Sequence, residues 1–266
     1  MDGSPPIWVV RDDWYTTAKS VADYLVGVVL LVLALPVMIA AGLLAWLTSP
    51  GPAIYRQTRV SRNGREFSIF KIRSMRVDCE RETGPQWSTP DDPRQTPVGG
   101  FLRRTHLDEL PQLLNIARGE MSLIGPRPER PEFITKLEKT IPFYRERERV
   151  LPGVTGLAQI QLPPDSEVAE VYRKLACDLY YMRHQSLWLD LRIVIGTALK
   201  VVGIPTQVLC RLLAIPSGQV IEDDYRRLAL LAVSGHEPRA AASTAPESSL
   251  EWGVAVDAQR ALVWGD

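Results

Sequence analysis

Apolar and polar residues are distributed unevenly along this chain. Residues 25–47 form a run of 23 without one charged or strongly polar side chain. As a helix that run reaches roughly 35 Å, enough to cross a bilayer and more than a buried core helix needs. Pro36, near its middle, removes one backbone hydrogen bond and crowds the preceding turn, so a kink is expected there. A kinked helix can cross the bilayer, or dip in and return to the same face. Lys19 precedes the run, and Arg56, Arg59 and Arg62 follow it. Charge therefore does not force the two ends to opposite sides, and both topologies stay open.

After Ser49-Pro50-Gly51-Pro52 the period shortens to that of strands. Ile54–Val60 and Glu66–Ile72 are predicted to pair across Asn63-Gly64, two residues that tolerate positive φ. Residues 75–97 are polar and rich in turn formers, which predicts a loop with a short helical piece at 78–82. Helical spacing then returns. Leu110, Leu113, Leu114 and Ala117 give a helix over 108–117 one buried face, and Gly119 stops it. Helices are also predicted over Pro131–Thr140, 142–150 and Val168–Arg183. Residues 186–202 carry Leu187, Trp188, Leu191, Ile195 and Leu199 on one side, so that helix lies on a bilayer surface or packs as an ordinary core helix. Residues 1–18 form a polar lead-in with Trp8, Trp14 and Tyr15 at headgroup level. Residues 234–249, rich in Ala, Ser, Pro and Glu, are expected to be disordered.

Net charge is zero, 31 Lys and Arg against 31 Asp and Glu, but the balance is not local. Residues 51–76 hold seven basic side chains and one acidic, Glu66, whereas residues 222–266 hold eight acidic and four basic. A basic stretch after a membrane segment fits the cytoplasmic face and anionic headgroups, and it equally fits a solvated hairpin. It is confined to the hairpin, with no aromatic-interleaved RNA motif after it, which argues against a nucleic-acid partner. Cys79, Cys177 and Cys210 have no metal-like spacing and fit reduced cytosolic thiols. His106, His184 and His236 form no ligand spacing either.

The residues that draw chemistry are Asp108 and Glu109, in Leu107-Asp108-Glu109-Leu110-Pro111. Asp108 either caps its helix or, if Thr105 caps, sits in the first turn. Both put its carboxylate at the positive end of a helix, where anions gain about 0.3–1 kcal/mol. An ionised carboxylate there can act as a nucleophile and hold a divalent cation, with Glu109 to orient the metal or take a proton. A solvated cap beside a first-turn acid is the plain alternative. Gly125-Pro126-Arg127-Pro128 raises the stakes, because two prolines immobilise the backbone around one guanidinium whose fork matches phosphate oxygens. Arg103 and Arg104 offer a second phosphate contact. Pro152-Gly153-Val154-Thr155-Gly156 is a tight turn that either approaches a nucleotide or sugar or only reverses the chain; Gly153, Thr155 and Gly156 are its candidate contacts, with Pro126 and Pro128.

With these motifs together the chain resembles the small monotopic phosphoglycosyl transferases, the polyprenyl-phosphate hexose-1-phosphate transferases of bacteria. The resemblance rests on Lys19-Ser20-Val21-Ala22-Asp23, Ser49-Pro50-Gly51-Pro52, FSIFKIRSM at 67–75, LDELPQLLNI at 107–116, MSLIGPRPE at 121–129, PGVTGLAQ at 152–159 and DLYYMRHQSLWLDL at 178–191. It covers roughly residues 18–203. It implies an α+β, mostly helical monotopic membrane protein: a re-entrant helix broken at Pro36 (19–48), a β-hairpin, amphipathic interfacial helices, a catalytic domain over 49–203 and an extension over 204–266.

The implied reaction moves a sugar-1-phosphate from a UDP-sugar to undecaprenyl phosphate at the cytoplasmic face of the inner membrane. It opens exopolysaccharide or O-antigen synthesis. Asp108 is the implied nucleophile and metal ligand, Glu109 completes the dyad, Arg127 holds phosphate, and magnesium neutralises the diphosphate. Membrane lipids are implied partners, and a homo-oligomer is compatible with the pattern. Three positions depart from the family: Ser61, Pro97 with Gly100, and Gln161-Leu162-Pro163-Pro164 after the Ala-Gln pair. The last two bear on donor identity. The rival reading is a non-catalytic scaffold of a polysaccharide assembly complex.

Overall fold

The computed structural model describes residues 14–81, 83–87, 92–162 and 168–234. Its elements, in chain order, are helix α1 (Trp14–Thr48), strands β1 (Ile54–Val60) and β2 (Glu66–Ile72), helix α2 (Gly99–Arg104), a 3-10 turn (Leu107–Glu109) and helix α3 (Gln112–Ala117). Strand β3 (Ser122–Ile124), helix α4 (Pro131–Thr140), a second 3-10 stretch (Tyr144–Arg149), strand β4 (Gly153–Thr155) and helix α5 (Leu157–Gln161) follow. Helices α6 (Val168–Arg183), α7 (Leu187–Val201), α8 (Thr206–Leu212) and α9 (Gly218–Ser234) complete the described chain. It is mostly helical, with two small sheets, β1 antiparallel to β2 and β3 parallel to β4. The part of the lead-in before Trp14, the Glu82 end of the expected loop helix and the tail after Ser234 lie outside the described residues.

Helix α1 is 35 residues long, about 52 Å at 1.5 Å per residue, and runs on through Pro36. Apolar side chains stand out around most of it, Leu33 at 69% and Leu47 at 72% exposure. Only a narrow stripe of small residues and Asp23 is buried. A core helix would be covered, so this is a membrane-associated helix. The stripe lets α1 lie close to the rest of the molecule. A Cβ at Gly27 would fall 2.6 Å from Ile116 Cγ2, so α1 and α3 meet because that position has no side chain. Leu31 and Ala34 join Phe67, Ile69, Leu113, Ile116 and Met121 in one apolar cluster.

Both ends of α1 are fastened to the same body. Near its start, Lys19 Nζ lies 2.9 Å from Asp190 of α7, and Asp23 accepts a hydrogen bond from Ser122 Oγ of β3. At its end the carbonyls lack intrahelical partners. Arg73, only 3% exposed, donates to Ala45 O at 3.1 Å, to Ser49 O at 2.6 Å and to Pro50 O. A cation at a helix C-terminus also complements the dipole.

The main core gathers α4 to α7 and α9 around α6, whose Leu175, Leu179, Tyr181 and Met182 are almost fully buried. Burying each such side chain contributes about 1.5–3 kcal/mol. The hairpin strands fall where alternation places them, with Asn63 at φ 59° and Gly64 at φ 75° in the turn. Helices α4, α6 and α7 also match, Ser186 capping α7 through Leu189 N.

Three expected elements differ. Residues 78–81 form turns, since Asp78 takes φ 58° and leaves the helical region. The expected helix over 142–150 is a 3-10 stretch entered through Phe143 at φ 60°. The expected helix over 108–117 is divided: a 3-10 turn carries the two carboxylates, and α3 begins after Pro111, which has no N–H to continue the ladder. Asp108 is therefore not a helix cap. It sits within a short 3-10 turn, entered through His106 in the left-handed region at φ 55°.

Candidate functional site

The two adjacent carboxylates have opposite fates. Glu109 is fully committed: Lys71 Nζ of β2 donates to its Oε1 at 2.8 Å, and Arg127 Nη2 donates to the same oxygen at 2.6 Å. Burial alone would raise the Glu109 carboxyl, but the charges and hydrogen bonds of Arg127 and Lys71 outweigh it and hold it well below the usual range. Asp108 is 5% exposed, and among the described residues no hydrogen bond or ion pair reaches its carboxylate. Burial raises its pKa first and the neighbouring Glu109 charge second, against the lowering pull of Lys71, Arg103 and Arg127. Among the described residues the site thus holds one locked anion and, next to it, one buried carboxylate with nothing bonded to it.

Arg127 is displayed by a fully anchored backbone. Gly153 N donates to Pro126 O at 2.8 Å, Arg147 Nη2 to Arg127 O at 2.9 Å, Arg59 Nη1 to Pro128 O at 3.2 Å, and Val60 N to Glu129 O at 3.0 Å. Four consecutive carbonyls are claimed by three parts of the fold: β4, the second 3-10 stretch and the end of β1. The Arg127 side chain is 49% exposed, so solvent tempers its pairing with Glu109. Its pKa is raised, chiefly by the Glu109 charge.

The glycines of the 153–156 turn explain how that anchoring is possible. A Cβ at Gly153 would lie 2.1 Å from Gly125 N, and one at Gly156 would lie 2.2 Å from Gly125 O. The two backbones touch, and only glycine permits it.

A cavity of about 2600 Å³ joins these parts. Asp108, Glu109, Arg103, Arg104, Arg127, Pro128 and Thr155 line it; Pro126, Gly153 and Gly156 do not, being engaged in the backbone crossing. Arg103 acts on Asp108 through its charge, while Arg104 stands exposed at the end of α2. The same cavity is lined by Val26, Leu30, Leu33, Ala34 and Val37 of the membrane helix.

Sequence reasoning missed Lys71, Arg59 and Arg147. Lys71 did carry a signal: Phe67, Ile69 and Lys71 share one strand face, the first two are buried, and a lysine in that series demands a partner. Arg147 had none, since its stretch is dense in arginine and glutamate and only the fold selects Asp178, at 2.8 Å, as its partner.

Comparison with known proteins shows the family. Residues 14–203 match the family described as Bacterial sugar transferase. The chain is 42% identical over 197 residues to the UDP-glucose:undecaprenyl-phosphate glucose-1-phosphate transferase of Xanthomonas campestris pv. campestris, covering 73% of this chain and 41% of that protein. It is 40% identical over 183 residues to the UDP-N-acetylgalactosamine-undecaprenyl-phosphate N-acetylgalactosaminephosphotransferase of Aeromonas hydrophila, covering 69% and 43%. Against the exopolysaccharide production protein PSS of Rhizobium leguminosarum bv. phaseoli it is 41% identical over 173 residues, covering 63% and 86%. The chain thus spans about two fifths of the first two relatives. From its carboxylate pair to its anchored arginine, this chain belongs to the bacterial sugar transferase family.

Proposed function

We propose that this chain transfers a sugar-1-phosphate from a UDP-sugar to a polyprenyl phosphate such as undecaprenyl phosphate, with Asp108 carrying the phosphosugar between them. One observation supports this most: the uncommitted Asp108 carboxylate and the apolar face of α1 line one cavity. A water-soluble diphosphate and a lipid-borne phosphate can meet there.

In the first half-reaction an Asp108 oxygen attacks the phosphorus that bears the sugar. The bond from that phosphorus to the bridging oxygen breaks, and uridine monophosphate leaves with the electron pair. In the second, an oxygen of the polyprenyl phosphate attacks the same phosphorus and the Asp108 carboxylate is regenerated. Glu109, already held by Lys71 and Arg127, fixes that lysine and guanidinium beside the reacting carboxylate. Arg127, half exposed in the cavity, is placed to bind phosphate oxygens.

Magnesium is commonly held by one or two carboxylates together with substrate phosphates. Glu109 is committed to Lys71 and Arg127, while Asp108 lines the cavity and would be a protein ligand for the ion there. When bound, the ion would offset the diphosphate charge.

The same reading makes α1 re-entrant, with both ends on the cytoplasmic face of the bacterial inner membrane. Its support is that Asp190 and Ser122 hold the start of α1 while Arg73, in the same body, holds its end. Cysteines placed at Ser20 and Thr48 should both react with a membrane-impermeant reagent from the cytoplasmic side; protection of one would contradict this topology. The transfer itself is tested by uridine monophosphate release from a panel of UDP-sugars. Release that depends on undecaprenyl phosphate for its multiple turnovers is expected, and no release with any donor would contradict the proposal.

A further inference from the structure

The family match ends at residue 203, but the chain continues into the same body. Helix α9 lies along α6 and buries Ile221, Tyr225, Leu228 and Ala229, and Tyr225 Oη donates to Pro142 O at 2.9 Å. Helix α8 and the turn after it lie against α5. Gln161 Nε2 donates to Pro216 O at 2.9 Å, and Lys200 Nζ at the end of α7 donates to Gln159 O and Ile160 O at 2.7 and 2.9 Å. Gln161 opens the stretch where this sequence leaves the family pattern, and its side chain is occupied in docking the extension.

Helix α5, held this way, carries Gln159. Its Nε2 donates to Val154 O at 3.2 Å, which settles the orientation of the amide. Its Oε1 is buried, and nothing among the described residues donates to it. An unsatisfied buried acceptor costs about 1–3 kcal/mol, and a ligand that supplies a donor recovers that cost. Gln159 lines the cavity that holds Asp108, together with Thr206 and Gln207, the first residues of α8.

We propose that α5 and α8 form the part of the site that recognises the uncharged portion of the nucleotide sugar. Gln159 Oε1 accepts a hydrogen bond from a hydroxyl or amide N–H of that portion, and Gln207 adds a second polar contact. The extension after residue 203 is then a wall of the donor site, in a part of the chain that the family pattern does not cover. This rests on the function proposed above. The shared chemistry is a hydrogen-bond donor, and either the sugar or the uracil ring can supply it.

The test uses the full chain in nanodiscs, with UDP-glucose, UDP-N-acetylglucosamine and UDP-N-acetylgalactosamine as donors and uridine monophosphate as product inhibitor. Gln159→Leu is expected to raise the donor KM about tenfold with kcat within about twofold, the signature of lost uniform binding. Gln207→Ala, at an exposed position that carries little risk to folding, is expected to raise it about threefold. If uridine monophosphate inhibition weakens in step, the contact is to the base; if inhibition holds while the donors weaken, it is to the sugar, and either result supports the proposal. Unchanged KM and inhibition in both variants of an active enzyme would overturn it. A wild-type chain inert toward every donor would overturn the transferase reading itself, and this inference with it.

Discussion

Two buried charge clusters in this molecule are built alike and do different work. In one, Glu109 is gripped by Lys71 and Arg127. In the other, Asp190 is gripped by Lys19 at 2.9 Å and by the hydroxyls of Tyr15 and Tyr181 at 2.7 and 2.8 Å. In both, a carboxylate is held by a lysine and further donors at 2.6–2.9 Å. The difference lies in what stands next to each. Beside Glu109 is Asp108, a buried carboxylate to which nothing among the described residues is hydrogen-bonded, opening onto the cavity. Beside Asp190 is Asp23, which accepts from Ser122 and pairs with Lys19 at 3.2 Å, and neither aspartate lines the cavity. A cluster closed off from the cavity fastens the membrane helix. A cluster with a carboxylate beside it that faces the cavity is a site.

The comparison can be broken most sharply by exchanging charge for amide in each cluster. Asp108→Asn should lower turnover by at least about 10³-fold, as removal of an attacking group does. It should leave stability unchanged or improved. The sign follows from linkage: the folded-state pKa of Asp108 is raised, so ionising it near neutral pH weakens the fold, and the amide has no charge to bury. Loss of stability without loss of rate would reverse the roles assigned here.

Lys19→Met should do the opposite. It leaves buried Asp190 and Asp23 without their cation, and breaking such a pair costs about 3–5 kcal/mol. Thermal unfolding in nanodiscs should register that loss, while the protein that stays folded keeps its donor KM. An unchanged melting temperature would remove the fastening role.

How far this contrast could be read from the chain depends on range. The membrane helix, the hairpin, α4, α6 and α7 follow from local periodicity and were placed within a residue or two at most ends, apart from the early start of α1 at Trp14. Asp108, Glu109 and Arg127 were found because two motifs carry them, and the structure does bring all three to one cavity. The split of 108–117 at Pro111 was hidden because apolar spacing continues unbroken across it. Which carboxylate is committed could not be read at all, because Lys71 comes from a strand 38 positions away. The glycines at 153 and 156 looked like ligand contacts because a backbone crossing and a ligand cradle ask for the same residue.

A smaller effect is expected at Arg127. Arg127→Ala should reduce donor kcat/KM by about 10²-fold, roughly 2.7 kcal/mol. Stability should change little, because the side chain is half exposed and Lys71 still pairs with Glu109. A fall in stability larger than the fall in kcat/KM would place Arg127 with the fastening cluster instead.

The smallest is a shift in pH dependence. Asp108 must be ionised to attack, and burial with the Glu109 charge raises its pKa, so activity should fall on the acid side at a higher pH than an ordinary carboxylate would give. Glu109→Gln removes one of those two causes. The acid limb of kcat/KM should move to lower pH, even as the rate itself drops. No movement would mean that another group controls that limb.

The central claim is that Asp108, and not its neighbour, takes the phosphosugar. Intact-mass analysis of the purified chain incubated with magnesium and UDP-sugars, without lipid acceptor, tests it directly. The account predicts a mass gain of one hexose phosphate or N-acetylhexosamine phosphate, mapped to Asp108, absent in Asp108→Asn and discharged by undecaprenyl phosphate. An adduct on Glu109, or brisk multiple turnover with undecaprenyl phosphate but no adduct from any donor, would contradict it.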